Sequence, residues 1–157
     1  MAILEPPDFL RALPASGRLA GLDVGTRTIG LAFTDVLRSI ASAHRTLERG
    51  RFARDGRELL AIFDKQQIVG LVIGLPLNMD GSEGPRSQSV RQFAINLLAM
   101  RDLPVLLQDE RLSTVAAERS MIDDYDMSRA KRAERIDAAA AAWILQSALD
   151  RLRNTTA

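Results

Sequence analysis

The stretch Arg18 to Thr34 reads RLAGLDVGTRTIGLAFT. Leu19 to Leu22 form an apolar run ending on Asp23, Gly25-Thr26-Arg27 supplies a turn, and Thr28 to Phe33 resumes an apolar strand. The pattern predicts a β-hairpin with a carboxylate at its mouth. A charge at the end of a buried strand costs on the order of several kcal/mol unless a cation, a hydrogen-bond donor or a helix end offsets it. The plain alternative is an Asp that caps its own turn by accepting backbone N–H bonds. Two acids later in the chain argue for more than a cap.

Working outward, 157 residues suit one compact domain. No apolar run reaches the roughly 18 residues that a spanning helix needs. The opening MAILEPPDFLRALPASG has no basic segment followed by an apolar core, so it does not read as a signal peptide, and a cytoplasmic location is the expectation. Cysteine is absent and His44 is the only histidine. Disulfides, thiolate zinc sites and a cysteine nucleophile are thereby excluded, and any metal would be held by oxygen, which points to Mg²⁺ or Mn²⁺. The net charge of +1 does not by itself announce a nucleic-acid binder. Nearly all the basic residues are Arg, however, whose planar fork suits phosphate.

Residues 1–16 read as a poorly ordered or loosely docked arm, with Pro6 and Pro7 and at most one short helical turn. After the hairpin, Ala41 to Leu47 continues an antiparallel meander. Arg45, Arg49, Arg51, Arg54 and Arg57, interrupted by Glu48, Asp55 and Glu58, read first as a solvated mixed-charge surface, with phosphate contact the alternative. Phe52 to Gln66 has helical spacing, and Ile68 to Leu75 (IVGLVIGL) is a strand buried on both faces. The loop from Leu77 to Arg86 follows, placed where α/β proteins put their ligands. Ser87 to Met100 is a second helix and Leu103 to Gln108 the next strand. Ser113 is a helix cap before Thr114 to Met121, Ile122 to Asp126 a polar break, and about Ser128 to Arg153 a long closing helix. The order implies an α/β fold: a mixed sheet of about five strands, an antiparallel meander plus parallel crossovers, flanked by helices.

Asp23 ends the first strand and Glu110 the last, so both emerge at one edge if those strands run parallel as neighbours. Asp137 shares the inward stripe of the closing helix with Ile144 at i+7 and Ala148 at i+11. The plain alternative for Asp137 is a favourable charge near a helix start. Three converging acids repel one another unless divalent cations lie among them. Two ions roughly 3.5–4 Å apart among such carboxylates are a standard device for phosphodiester hydrolysis. Arg129, Lys131, Arg132 and Arg135 put positive charge beside this site, where a phosphate backbone could track.

The segments GLDVGTRTIGLA, GLPLNMDGSEGP, LQDERLST and KRAERIDAAAAAWIL, in this order and spacing, resemble the YqgF family, also called RuvX. The resemblance covers about Arg18 to Leu152. It implies an RNase H-like domain over residues 17–153 and a Mg²⁺-dependent nuclease, since the family is described as a Holliday junction resolvase and as maturing the 5′ end of 16S ribosomal RNA precursor. Asp23 matches the family's first-strand acid, Glu110 the acid of its DER motif and Asp137 the acid of its last helix; these would be catalytic and metal-holding. The choice of Glu110 over Asp109 rests on the family match, because neighbours on a strand point to opposite sides. Arg27, Asn78, Arg111, Lys131 and Arg132 would guide phosphates. The turn Thr26-Arg27-Thr28 has one basic residue where many relatives have two, and Asp80 is an outside candidate for a ligand.

The partner expected is nucleic acid, an rRNA precursor or branched DNA, with a homodimer suited to branched substrates. Two rivals stand beside the nuclease. A non-catalytic nucleic-acid binder or assembly factor could use the same scaffold. The Asp-x-Gly-Thr hairpin also resembles the phosphate-binding hairpin of actin-like ATPases and sugar kinases, but those use two such lobes and this chain has one.

Overall fold

The computed structural model describes residues 3–111 and 129–155, the stretch 129–136 as helical backbone only. The expected helix over Thr114 to Met121, its Ser113 cap and the break at Ile122 to Asp126 lie outside the described residues. In chain order the elements are β1 (Ile3–Leu4), α1 (Pro6–Ala12), β2 (Arg18–Val24), β3 (Thr28–Thr34), β4 (Ala41–Glu48), α2 (Phe52–Gln66), β5 (Ile68–Leu75), α3 (Pro85–Met100), β6 (Val105–Asp109) and α4 (Arg129–Arg153).

The sheet order is β1-β6-β5-β2-β3-β4. β2, β3 and β4 form the antiparallel meander, while β2, β5, β6 and β1 run parallel. This is the mixed sheet expected, with one strand more. One expectation about the site needs correcting: β2 and β6 are parallel but are not neighbours, because β5 pairs with both.

The extra strand comes from the segment expected as a loosely docked arm. Ile3 and Leu4 pair with Val105 and Leu106, and α1 starts on Pro6. Pro costs nothing in a first helical turn, whose N–H groups have no intrahelical partner. Phe9 is fully buried among Leu19, Val72, Leu106 and Leu149. A buried aromatic side chain contributes roughly 1.5–3 kcal/mol, which is enough to seat a seven-residue helix that would not persist alone.

Alternation along the strands divides the core. Ala20, Leu22, Ile29, Leu31, Leu71 and Ile73 face α2 and α3, meeting Leu59, Phe63, Val90, Phe93 and Leu97. Leu19, Ala32, Val72 and Leu106 face α1 and α4, meeting Ala141, Ile144, Leu145 and Ala148. The mixed-charge run before α2 is not wholly a solvated surface. Asp55 is 3% exposed, and its carboxylate accepts the Gly50 N–H at 3.0 and 3.1 Å, fixing the entry to the helix.

Candidate active site

Strand parity decides which acids meet. On β2, Asp23 is in phase with Leu19, whose side chain lies on the α4 face. On β6, Leu106 lies on that face, and the Glu110 N–H donates to Leu75 O at 3.2 Å, carrying the register one residue past Asp109. Glu110 is therefore in phase with Leu106, and Asp109 is out of phase. Asp109 turns to Arg111 instead, accepting from its backbone N–H at 2.9 Å and its Nε at 2.8 Å.

Asp23 and Glu110 share a hydrogen bond across the strand between them. The strand permits this at Gly74, where a Cβ would lie 2.6 Å from Glu110 Oε2. Any side chain there would displace the acid. A second glycine seats the third acid. Gly30 pairs with Asp23 across the hairpin, and a Cβ on it would lie 2.1 Å from the Asp137 carbonyl oxygen. The bare backbone at Gly30 thus lets α4 rest against the sheet beside Asp23. Thr28 Oγ1 donates to Asp137 Oδ2 at 2.8 Å, so this carboxylate is directed at the hairpin, as its helical stripe predicts.

Burial, foremost, pushes the Glu110 carboxyl up to about 8, and the negative charge of Asp23 and their shared hydrogen bond add to the rise. Burial also raises Asp23, against the opposing pull of its bond to Glu110, and Asp137 raises it further through charge. The pair therefore holds a proton between its two carboxyls at a pH where free carboxyls have lost theirs. Arg86 acts against both shifts: its guanidinium favours the charged form of each acid, and its Nη2 donates to Val24 O at 3.1 Å.

The other residues singled out in the sequence fare differently. Arg27 is exposed at the hairpin turn, its carbonyl accepting the Arg49 N–H at 2.8 Å. Asn78 is exposed and spends its side-chain amide on Ser82 Oγ at 3.0 Å. Arg111 is engaged by Asp109 and donates to Met79 O at 3.1 Å, tying the β5–α3 loop to the end of β6. Asp80 accepts from Ser82 within that loop. Lys131 and Arg132 lie on the first turns of α4, and their side chains are outside the described residues.

Sequence reasoning passed over Arg86 and Thr28, and met Arg49 only as one of a mixed-charge run. Arg86 ends the turn-rich segment after β5, where Gly and Pro dominate the reading. Thr28 was legible only as a strand residue. Arg49 closes the turn, its Nη1 donating to Gly25 O at 2.6 Å.

A divalent cation is the group such a site implies. The donors are all carboxylate oxygens, and a buried acid pair that must retain a proton is what a cation would relieve. Asp23 and Glu110 fit it on that ground. Among the described residues, no three Asp, Glu or His side chains are gathered closely enough to form a ready ligand set; Asp137 is at present bonded to Thr28.

The sequence model of the family described as "RuvX: Holliday junction resolvase" matches residues 17–151. A Sphingopyxis alaskensis protein named "Putative pre-16S rRNA nuclease" is 61% identical over 150 residues, covering 96% of this chain and 97% of its own. A Rhodospirillum rubrum protein of the same name is 55% identical over 152 residues, covering 97% and 94%. Among solved structures, T. thermophilus RuvC in complex with a Holliday junction substrate superposes with a TM-score of 0.53 at 15% identity, covering 86% of this chain and 95% of that one. The fowlpox virus resolvase with its junction DNA gives 0.53 at 10%, covering 86% and 98%. At these identities the structural likeness is one of fold.

Proposed function

The chain belongs to the RuvX family, and from that premise we propose that its nuclease activity is metal-dependent endonucleolytic hydrolysis of a phosphodiester in structured nucleic acid. Asp23, Glu110 and Asp137 are the acids of the site. The observation that carries the reading is the convergence of the three acids: Glu110 lies over the bare backbone of Gly74 and is bonded to Asp23, and Asp137, held by Thr28, packs on Gly30 and acts on Asp23 through charge. The 5′ precursor of 16S rRNA is the first substrate, on the strength of the relatives' names. The family description favours a second, the four-way DNA junction.

When bound, a divalent cation, Mg²⁺ or Mn²⁺, supplies charge for a phosphoryl oxygen and an acidified water. The chain's own residues do the rest. Asp23 and Glu110, both as carboxylates, would hold the cation, with Asp137, now bonded to Thr28, as the third acid. Gly74 and Gly30 let Glu110 and α4 pack close to the sheet beside Asp23. Arg27, Asn78 and Arg111 at the rim, with Lys131 and Arg132 on the first turns of α4, guide the phosphate backbone. A homodimer suits a branched substrate, whose two-fold symmetry asks for paired sites. Among the described residues no helix is long and apolar enough to cross a membrane, in keeping with a cytoplasmic nuclease.

The test is cleavage of an end-labelled 16S precursor leader and of a four-way junction, with Mg²⁺, Mn²⁺ or chelator, by wild type and by Asp23→Asn, Glu110→Gln and Asp137→Asn. Each variant is expected to lose at least ~10²-fold in rate, the scale of losing a group that stabilises the transition state. A wild-type rate from Asp23→Asn would overturn the assignment.

A further inference from the structure

Two guanidiniums from different elements bond consecutive carbonyls just after Asp23. Arg49 Nη1 takes Gly25 O at 2.6 Å and Arg86 Nη2 takes Val24 O at 3.1 Å. Their remaining surroundings differ. Arg49 lies over the Phe93 ring, 5.4 Å from its centroid. Arg111, nearby on the sequence side of Glu110, is closed by Asp109 and the Met79 carbonyl. Arg86 is exposed, and it acts on Asp23 and Glu110 through charge, with no hydrogen bond to either. Among the described residues its side chain makes one hydrogen bond, to Val24 O. A guanidinium carries five N–H donors, so among the described residues most of the fork beside the acid pair has no partner.

We propose that Arg86 contacts a phosphate of the bound nucleic acid next to Asp23 and Glu110. The inference rests on the nuclease reading of that acid site. The acids of the site carry negative charge that repels an approaching phosphodiester, and Arg86, which makes no ion pair among the described residues, offsets that repulsion beside Asp23. The fork can hold Val24 with one edge and phosphate oxygens with another, which a lysine ammonium cannot do with the same geometry. Its bond to Val24 also orders the side chain before substrate arrives, so less rotamer freedom is lost on binding.

The test uses the full chain without divalent cation, so that binding is read without cleavage. Affinity for a labelled 16S precursor leader and a labelled four-way junction is measured over a range of salt for wild type, Arg86→Gln and Arg86→Lys. Gln keeps a donor for Val24 but no charge; Lys keeps the charge. Arg86→Gln is expected to weaken binding about tenfold and to reduce the slope of log affinity against log salt by about one, with Lys restoring the slope. An unchanged affinity and slope in Arg86→Gln would overturn the proposal. So would an affinity loss with an unchanged slope that Lys does not correct, since that is the mark of a merely structural role. Wild type binding neither nucleic acid would also sink it. If the Arg86 result is as expected while Asp23→Asn cleaves at the wild-type rate, the phosphate contact stands and the assignment of the acids fails.

Discussion

Asp23 and Glu110 share a hydrogen bond across β5, over the bare backbone of Gly74. The two acids come from strands that never pair, and the proton between them marks the place where the fold concentrates negative charge.

That proton makes stability depend on pH. Glu110 is held up to about 8 in the folded protein, chiefly by burial, against 4.5 for a free Glu. Between those values the folded state binds more protons than the unfolded one, so the unfolding free energy falls as pH rises. Asp23 is shifted in the same sense. Asp35, Asp64, Asp80, Asp109 and Glu83 are lowered and act oppositely, but only in the acid range below their ordinary values. His44, lowered chiefly by burial, also acts oppositely, below about 6.5. In chelator, the urea midpoint is therefore expected to decline from about pH 6.5 to about 8, and Glu110→Gln to flatten that decline. A flat wild-type profile would contradict the shared proton.

Gly30 is the seat of α4. An added Cβ would press on the Asp137 carbonyl at 2.1 Å, and the neighbour is backbone that cannot rotate away. Gly30→Ala is expected to lose about 2–3 kcal/mol of stability by overpacking, read by chemical denaturation, and to lower the cleavage rate because Asp137 moves with the helix. Wild-type stability and rate together would show that the helix tolerates a shift at this point.

Arg49 ties the hairpin to the end of β4 through Gly25 and covers Phe93. Arg49→Ala removes a hydrogen bond to a charged donor and a cation–π contact, worth together roughly 2 kcal/mol. The denaturation midpoint should fall accordingly, and a change within the usual scatter of surface substitutions would exclude that role.

Phe9 tests whether the opening segment belongs to the domain. Its burial is complete, so Phe9→Ala is expected to destabilise by about 3–5 kcal/mol. A loosely docked arm would give almost no change.

What the sequence made legible follows from where the signal was local. α2 and β5 have the bounds expected of them because fifteen residues of helical spacing and eight of unbroken apolar character each speak for themselves. Asp137 could be turned inward by counting from Ile144 and Ala148. The arm was misread because its two prolines look like breakers until they stand in a first turn, and because Phe9 is buried by residues far along the chain, Leu106 and Leu149 among them. Asp109 and Glu110 could not be told apart by spacing, since strand phase depends on where β6 locks onto β5. Arg86 escaped for a similar reason: its place beside Asp23 is set by the loop path after β5, which no periodicity encodes.

A divalent cation bound at the Asp23–Glu110 pair would displace the proton that the two acids share. Calorimetric titration of Mn²⁺ into the protein at neutral pH, repeated in buffers of different ionisation enthalpy, reads binding and proton release together. Wild type is expected to bind with release of about one proton per ion, as ligand carboxyls must be deprotonated to bind, and Glu110→Gln to bind more weakly without proton release. Wild type that takes up no Mn²⁺, or that binds it without releasing a proton and no more tightly than Glu110→Gln, would contradict it.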